Sequence, residues 1–251
     1  MAGKCQISIV SPHQDDAALS LGLSMRRWTR CGIAVNVLNC FTFSRWAPFS
    51  EAASVPDVME IRRREDMAFG VRCGLGIRFV DLGALDSPIR FGVSDTRAIF
   101  ASKPFSTEDR ATLADLEVRL AATLPDGVVL GPLAARDHID HRIAREACCK
   151  IANTRPVGFF EDLPYSVEIS AESLYEYVAQ VQEITGCHLV PHLVGGTPSD
   201  EDKGSLVEVY GSQLEPSDYA AVARAKGSGE RLWLPEEHLD CFRFLVMMDA
   251  Q

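Results

Sequence analysis

Short strand-like apolar runs alternate with longer helix-compatible stretches along most of this chain, and that alternation restricts the fold more than any other feature. Residues 6–11, 33–41, 77–82, 128–133 and 157–161 read as strands, and 17–31, 57–73, 107–124 and 140–154 read as helices. The run 33–41 is β-branched and apolar enough to be buried on both faces, as a parallel strand would be. Asp57 is the expected N-cap of the second helix, with Glu60 as the acidic third position of a capping box. Ser106 or Thr107 is expected to cap the third helix, which Pro125-Asp126-Gly127 ends. Strands that alternate with amphipathic helices imply an α/β, Rossmann-like fold, a mostly parallel sheet with helices on both faces.

The last third reads as mainly helical, over 171–185, 200–213 and 217–226, closing with strand-like pieces at 231–234 and 242–247. No repeat, low-complexity linker or composition break divides the 251 residues, so a single domain over 1–251 is expected. With 25 basic and 35 acidic residues the net charge is −10. Such a surface repels phosphate backbones, which argues against a nucleic-acid partner. The first residues run straight into a strand without the apolar stretch of a signal peptide, and no later segment is long enough for a membrane span. A cytoplasmic protein with no membrane partner is the expectation. Several of the eight cysteines sit inside apolar runs and none forms a Cys-x-x-Cys pair, so free thiols are expected. A homo-oligomer is left open, and the apolar run 242–248 reads as a buried strand rather than an interface.

In open α/β sheets ligands bind at loops leaving the carboxyl ends of strands. Two such loops carry unusual densities of metal-capable residues: Ser11-Pro12-His13-Gln14-Asp15-Asp16 after the first strand, and Arg136-Asp137-His138-Ile139-Asp140-His141 after the fourth. His13 and Asp16 are three apart, so on the turn opening a helix both face one side. Asp15 points differently and can stay off a metal. A third ligand is available in His141, with His138 one turn earlier on the same face. A lone His-x-x-Asp is ordinarily a cap and a turn. Two clusters, each just after a parallel strand, supply three ligands, a spare carboxylate and a spare imidazole, which are the parts metal-assisted amide hydrolysis needs.

These motifs resemble a known family. Ser-Pro-His-Gln-Asp-Asp is similar to the Pro-His-Pro-Asp-Asp signature of the LmbE-like, or PIG-L, zinc deacetylases, and Asp137–His141 is similar to that family's second, His-Pro-Asp-His motif. Weaker echoes are Arg62-Arg63-Arg64-Glu65 with Ala68, Leu82-Gly83-Ala84-Leu85-Asp86, and Lys203 with Tyr210-Gly211-Ser212-Gln213. The resemblance implies removal of an N-acetyl group from an amino-sugar-like small molecule. It assigns Zn2+, or another divalent ion, to His13, Asp16 and His141, the general-base role to Asp15, oxyanion stabilisation to a protonated His138, and sugar contacts to Arg62 and Asp86. Gln14, Ala17 and Ile139 depart from the family pattern without removing any of these groups; they bear on loop shape and substrate choice.

Other readings come from the same residues. The site would also serve a zinc amidase of another amide, such as a thiol conjugate. Asp15-Asp16 after the first strand also resembles the phospho-acceptor of a receiver module, although receivers are about half this length. A catalytically silent binding protein would have no need of Asp15. The segment 159–165 ends the fifth strand on the same rim, where Glu161 or Tyr165 could meet substrate. His188 and His192 read as surface histidines, because Pro191 between them prevents a helix from presenting both. Trp28 and Trp233 read as core, whereas Trp46, in the excursion 42–56, could lie over the sugar.

Overall fold

The computed structural model describes residues 6–52, 54–74, 76–92, 99–100, 103–194, 203–215, 217 and 230–246. Its centre is strand β1 (Gln6–Ser11), which pairs in parallel with β2 (Ala34–Asn39) on one side and β4 (Val128–Pro132) on the other. β3 (Ile77–Asp81) extends the β2 side, and β5 (Val157–Phe160) extends the β4 side, both parallel. β6 (Leu189–Val194) and β7 (Glu230–Pro235) add two antiparallel members, giving a seven-stranded sheet in the order β3-β2-β1-β4-β5-β7-β6. The mostly parallel α/β sheet expected from the alternation is present.

Alternation along each strand sends side chains to opposite faces, and helices bury both. Ile7, Ile9, Val128 and Leu130 pack with α1 (Asp16–Arg30), α2 (Val55–Cys73), α7 (Lys203–Val207) and α8 (Leu239–Val246). Val10 and Val129 face α4 (Thr107–Thr123), α5 (Ile139–Ile151) and α6 (Ala171–Thr185). Gly131 lets α5 lie close on β4, since a Cβ there would meet Cys148 Sγ at 2.5 Å. The seven described cysteines are free, and among the described residues no helix is long and apolar enough to cross a membrane.

Several expected elements differ. α2 begins one turn early: Ser54, not Asp57, is the N-cap, accepting from Asp57 N at 3.3 Å. Pro56 fits there because first-turn N–H groups have no helical partner. Among the described residues of 200–213, α-helix spans Lys203–Val207, and Ser212 N donates to Glu65 Oε1 rather than to a helical carbonyl. Of 217–226 only residue 217 lies within the described residues. Of the 242–247 piece, the described residues 242–246 are helical in α8: Leu239, Phe242 and Leu245 recur at helical spacing, and the last two are buried. β6 and the short α3 (Ser87–Phe91) were not expected. Pro191 is compatible with β6 because that strand is at the sheet edge.

Candidate metal centre

Strand order reverses between β1 and β4, and the crevice beyond the carboxyl ends of those two strands is where an open α/β sheet binds ligands. The loop after β1 is shaped by β2: Cys40 N donates to Ser11 O and Phe41 N to Pro12 O, both at 2.9 Å. Ser11 Oγ donates to His13 O (2.6 Å) and accepts from Ala17 N (3.1 Å), closing the turn onto α1. Asp16 thereby enters the first turn of α1, where the helix dipole favours a carboxylate. The loop after β4 is more strained. Ala134, Arg136 and Asp137 all have left-handed backbones (φ 61°, 69° and 59°), a conformation costly for residues with a Cβ.

The two loops meet. His13 Nδ1 lies 3.1 Å and His141 Nε2 3.2 Å from Asp16 Oδ2, and one ligand atom from each of the three residues falls within 4.8 Å of the others. His13 and His141 are therefore close enough to share one ion. His141 Nε2 is buried and has no well-directed hydrogen-bond partner, although Asp16 Oδ2 lies 3.2 Å away. Two imidazoles and a carboxylate at this spacing fit a divalent ion with ligand distances of about 2.0–2.2 Å. His13, His138 and Asp140 form a second such cluster. It fits less well, because Asp140 is already saturated by Ser87 N, Ser87 Oγ and Arg90.

Behind each of the two histidines stands a buried aspartate. His13 Nε2 is 3.1 Å from Asp140 Oδ2 and His141 Nδ1 is 2.7 Å from Asp162 Oδ1. Asp162 Oδ2 also accepts from Ala134 N (2.7 Å) and Ala135 N (3.3 Å), so it holds the strained β4–α5 turn as well. Neither aspartate carried an assignment from the sequence. The signal for Asp162 was its place at the end of β5 on the same rim, next to Glu161. Glu161 itself turns away, accepting from Arg231 and from the Trp233 indole, both at 3.1 Å.

Burial pulls the His13 imidazole down, but Asp140 and Asp16 outweigh it and raise its pKa to about 9. At His141, Asp16 and Asp162 overcome the same burial penalty and raise it to about 10. Burial opposes charge on Asp16 too, yet His141 and His13 hold its carboxyl well below the usual range. Asp15 goes the other way: burial and the neighbouring Asp16 raise it against the pull of Arg62 and His13. His138 differs from its expected state. Burial, then His141, push the imidazole well below its usual pKa, which favours the neutral form. Its Nδ1 accepts from Asp140 N (3.2 Å) at the start of α5, which leaves the proton on Nε2.

His13, Asp15, Asp16, Arg62, Asp86 and His138 line one cleft of about 240 Å³, with His141 buried beneath. Trp46, Tyr165 and Gln213 also line it. Arg62 Nη2 is 3.5 Å from Asp15 Oδ1. Asp86 caps α3, accepting from Ile89 N at 3.0 Å. Within the weaker sequence echoes, Arg62, Asp86 and Gln213 reach the cleft, whereas Glu65 binds Ser212 and Gln213 and Lys203 is 2.7 Å from Glu230. Trp28 and Trp233 are core. His188 lies exposed beside Glu236.

The model of the PIG-L family, described as GlcNAc-PI de-N-acetylase, matches residues 8–152, more than half of the chain. The chain belongs to the PIG-L family. Among solved structures, a deacetylase of the teicoplanin biosynthesis pathway superposes with a TM-score of 0.62 at 24% identity, covering 91% of this chain and 96% of that one. The zinc-inhibited form of a teicoplanin deacetylase gives 0.62 at 23%, covering 91% and 97%. The N,N′-diacetylchitobiose deacetylase of Pyrococcus horikoshii gives 0.56 at 14%, covering 94% and 86%. At these identities the likeness establishes that this PIG-L member shares their fold. No curated protein matches the chain.

Proposed function

We propose that this PIG-L member is a metal-dependent hydrolase that removes the N-acetyl group of an amino-sugar-containing small molecule, with zinc as the first candidate ion. The observation that carries the reading is the convergence of His13, Asp16 and His141, with the Asp15 carboxylate beside them and free of that cluster. The neighbouring deacetylases, one acting in glycopeptide biosynthesis and one named for a diacetylated amino sugar, support the same substrate class.

A divalent ion held by His13, Asp16 and His141 would supply Lewis-acid polarisation of the acyl oxygen and acidify the attacking water. Asp15 takes the proton of that water as its oxygen bonds to the acyl carbon. The raised pKa of Asp15 makes it a better base than an ordinary aspartate and lets it hold that proton. As the carbon–nitrogen bond breaks, Asp15 returns the proton to the leaving amine. His138 stabilises the oxyanion as a neutral donor through Nε2–H, which needs no imidazolium. Arg62 and Asp86 supply a donor and an acceptor for sugar hydroxyls, and Arg62 also steadies Asp15.

The test is acetate release from a panel of N-acetylated amino sugars by protein reloaded separately with zinc, cobalt or iron. The zinc-inhibited state of the teicoplanin enzyme makes the choice of ion part of that test. Asp15→Asn should cut turnover by about 10²–10⁴-fold while keeping its metal. Full activity after metal stripping would overturn the proposal.

A further inference from the structure

Trp46 and Phe100 line the cleft together with its charged side chains. Three aromatic side chains of the excursion after β2, Phe43 (39% exposed), Trp46 (44%) and Phe49 (47%), stand at the surface, with Leu85 (44%) across an isolated bridge from Phe43. A single exposed apolar residue needs no explanation, but several in one segment, with Trp46 among the cleft-lining residues, do. The segment is anchored by its backbone. Phe43 N donates to Ala84 O, Asp86 N to Phe43 O and Phe49 N to Ser212 O, each at 3.1 Å. Ser212 in turn adjoins Gln213 and Leu214, which line the cleft.

Buried Ser44 joins this segment to Arg62 and Asp86. Its Oγ accepts from Trp46 N (2.9 Å) and Arg62 Nη1 (3.4 Å), and it hydrogen-bonds Asp86. Trp46, which lines the cleft, is thus tied through Ser44 to the same two residues offered above as sugar contacts. The ordering of this segment leaves its largest side chains in water, which favours a ligand that covers them.

We propose that the cleft holds an aglycone subsite at Trp46, so that the amino sugar is glycosidically linked to an aromatic group lying against that side chain; this rests on the deacetylase reading above. Rings prefer offset or edge contacts with other rings. A flat, rigid group loses less rotamer freedom against such an exposed side chain than a flexible chain does. The glycosidic bond takes no part in the reaction and only carries the aglycone to Trp46.

The probes are the 4-nitrophenyl and methyl glycosides of N-acetylglucosamine, with the octyl glycoside as a third arm. The aryl glycoside should exceed the methyl glycoside in kcat/KM by at least about tenfold, with most of the difference in KM. Trp46→Ala should bring that ratio close to one. Calorimetric binding to metal-loaded Asp15→Asn protein should show the same preference. Turnover of both glycosides at similar kcat/KM, a preference that survives Trp46→Ala, or a stronger preference for the octyl glycoside would overturn the aromatic subsite. Preferential aryl binding without turnover of any probe would overturn the deacetylase reading and leave the subsite standing. Absence of both binding and turnover would overturn both.

Discussion

The two histidines beside Asp16 are each backed by a buried aspartate, but those aspartates are balanced in different ways. Asp140, behind His13, meets Arg90 at 2.7 Å and both hydrogen-bonding groups of Ser87 at 2.9 Å. Among the described residues Asp162, behind His141, meets only backbone N–H groups besides the imidazole. The first anchor is a neutralised ion pair inside the protein. The second delivers an uncompensated negative charge to its histidine. Carboxylates on the far nitrogen of a ligating histidine fix its tautomer and raise its basicity. His141 should therefore depend on its aspartate for ion binding, whereas His13 should depend on its own mainly for a sound fold.

The largest expected effect is on stability, at Asp140. Asp140→Asn leaves the buried Arg90 guanidinium with Asp109 at 3.7 Å as its remaining carboxylate. Denaturant unfolding of the metal-free protein should show a loss of about 3–5 kcal/mol, as for a broken buried pair. Asp162→Asn should instead lower metal affinity by about 10–100-fold, read by competition with a chromogenic chelator. If the two variants lose stability and affinity in equal proportion, the distinction between the anchors is wrong.

Ser87→Ala removes one donor from Asp140 and should cost about 1 kcal/mol without changing metal affinity. A pH series sharpens the comparison further. In metal-stripped protein both imidazoles are raised, to about 9 at His13 and about 10 at His141. Raised groups contribute stability that is complete below the unfolded value of about 6.5 and lost as pH climbs through the folded values. Melting temperature of stripped protein should fall slightly from pH 7 to 10, with the His13 share going first. A flat profile would show that neither pair contributes.

Much of this was legible along the chain, and what was not has a common cause. The ligand set lies in two short motifs because a strand-to-helix turn presents residues one and four on one side, a local property. Asp162 was overlooked in favour of Glu161 and Tyr165. Which of several neighbouring acidic residues at a strand end faces inward depends on the partner strand, here β7 with Arg231 and Trp233 drawing Glu161 away. The charge on His138 is set in a similar way, since burial at 5% exposure and the His141 neighbour, which lower its pKa, do not appear in a motif. β6 was missed because Pro191 discourages a strand assignment unless its place at the sheet edge is known. α8 was taken as a strand because a short apolar run carries no clear period.

Periodicity and turn chemistry act between residues a few positions apart, so the sequence alone determined the parallel α/β layout and the residue types at both loops. Strand order and burial arise from contacts between distant segments. Only the tertiary structure decided that the loops after β1 and β4 adjoin, which aspartate stands behind each histidine, and that Trp46 borders the same cleft as Arg62 and Asp86. Charge and hydrogen-bond partners in the site follow from that proximity, because the energy of a buried ion depends on what lies within a few ångströms of it rather than on its neighbours along the chain.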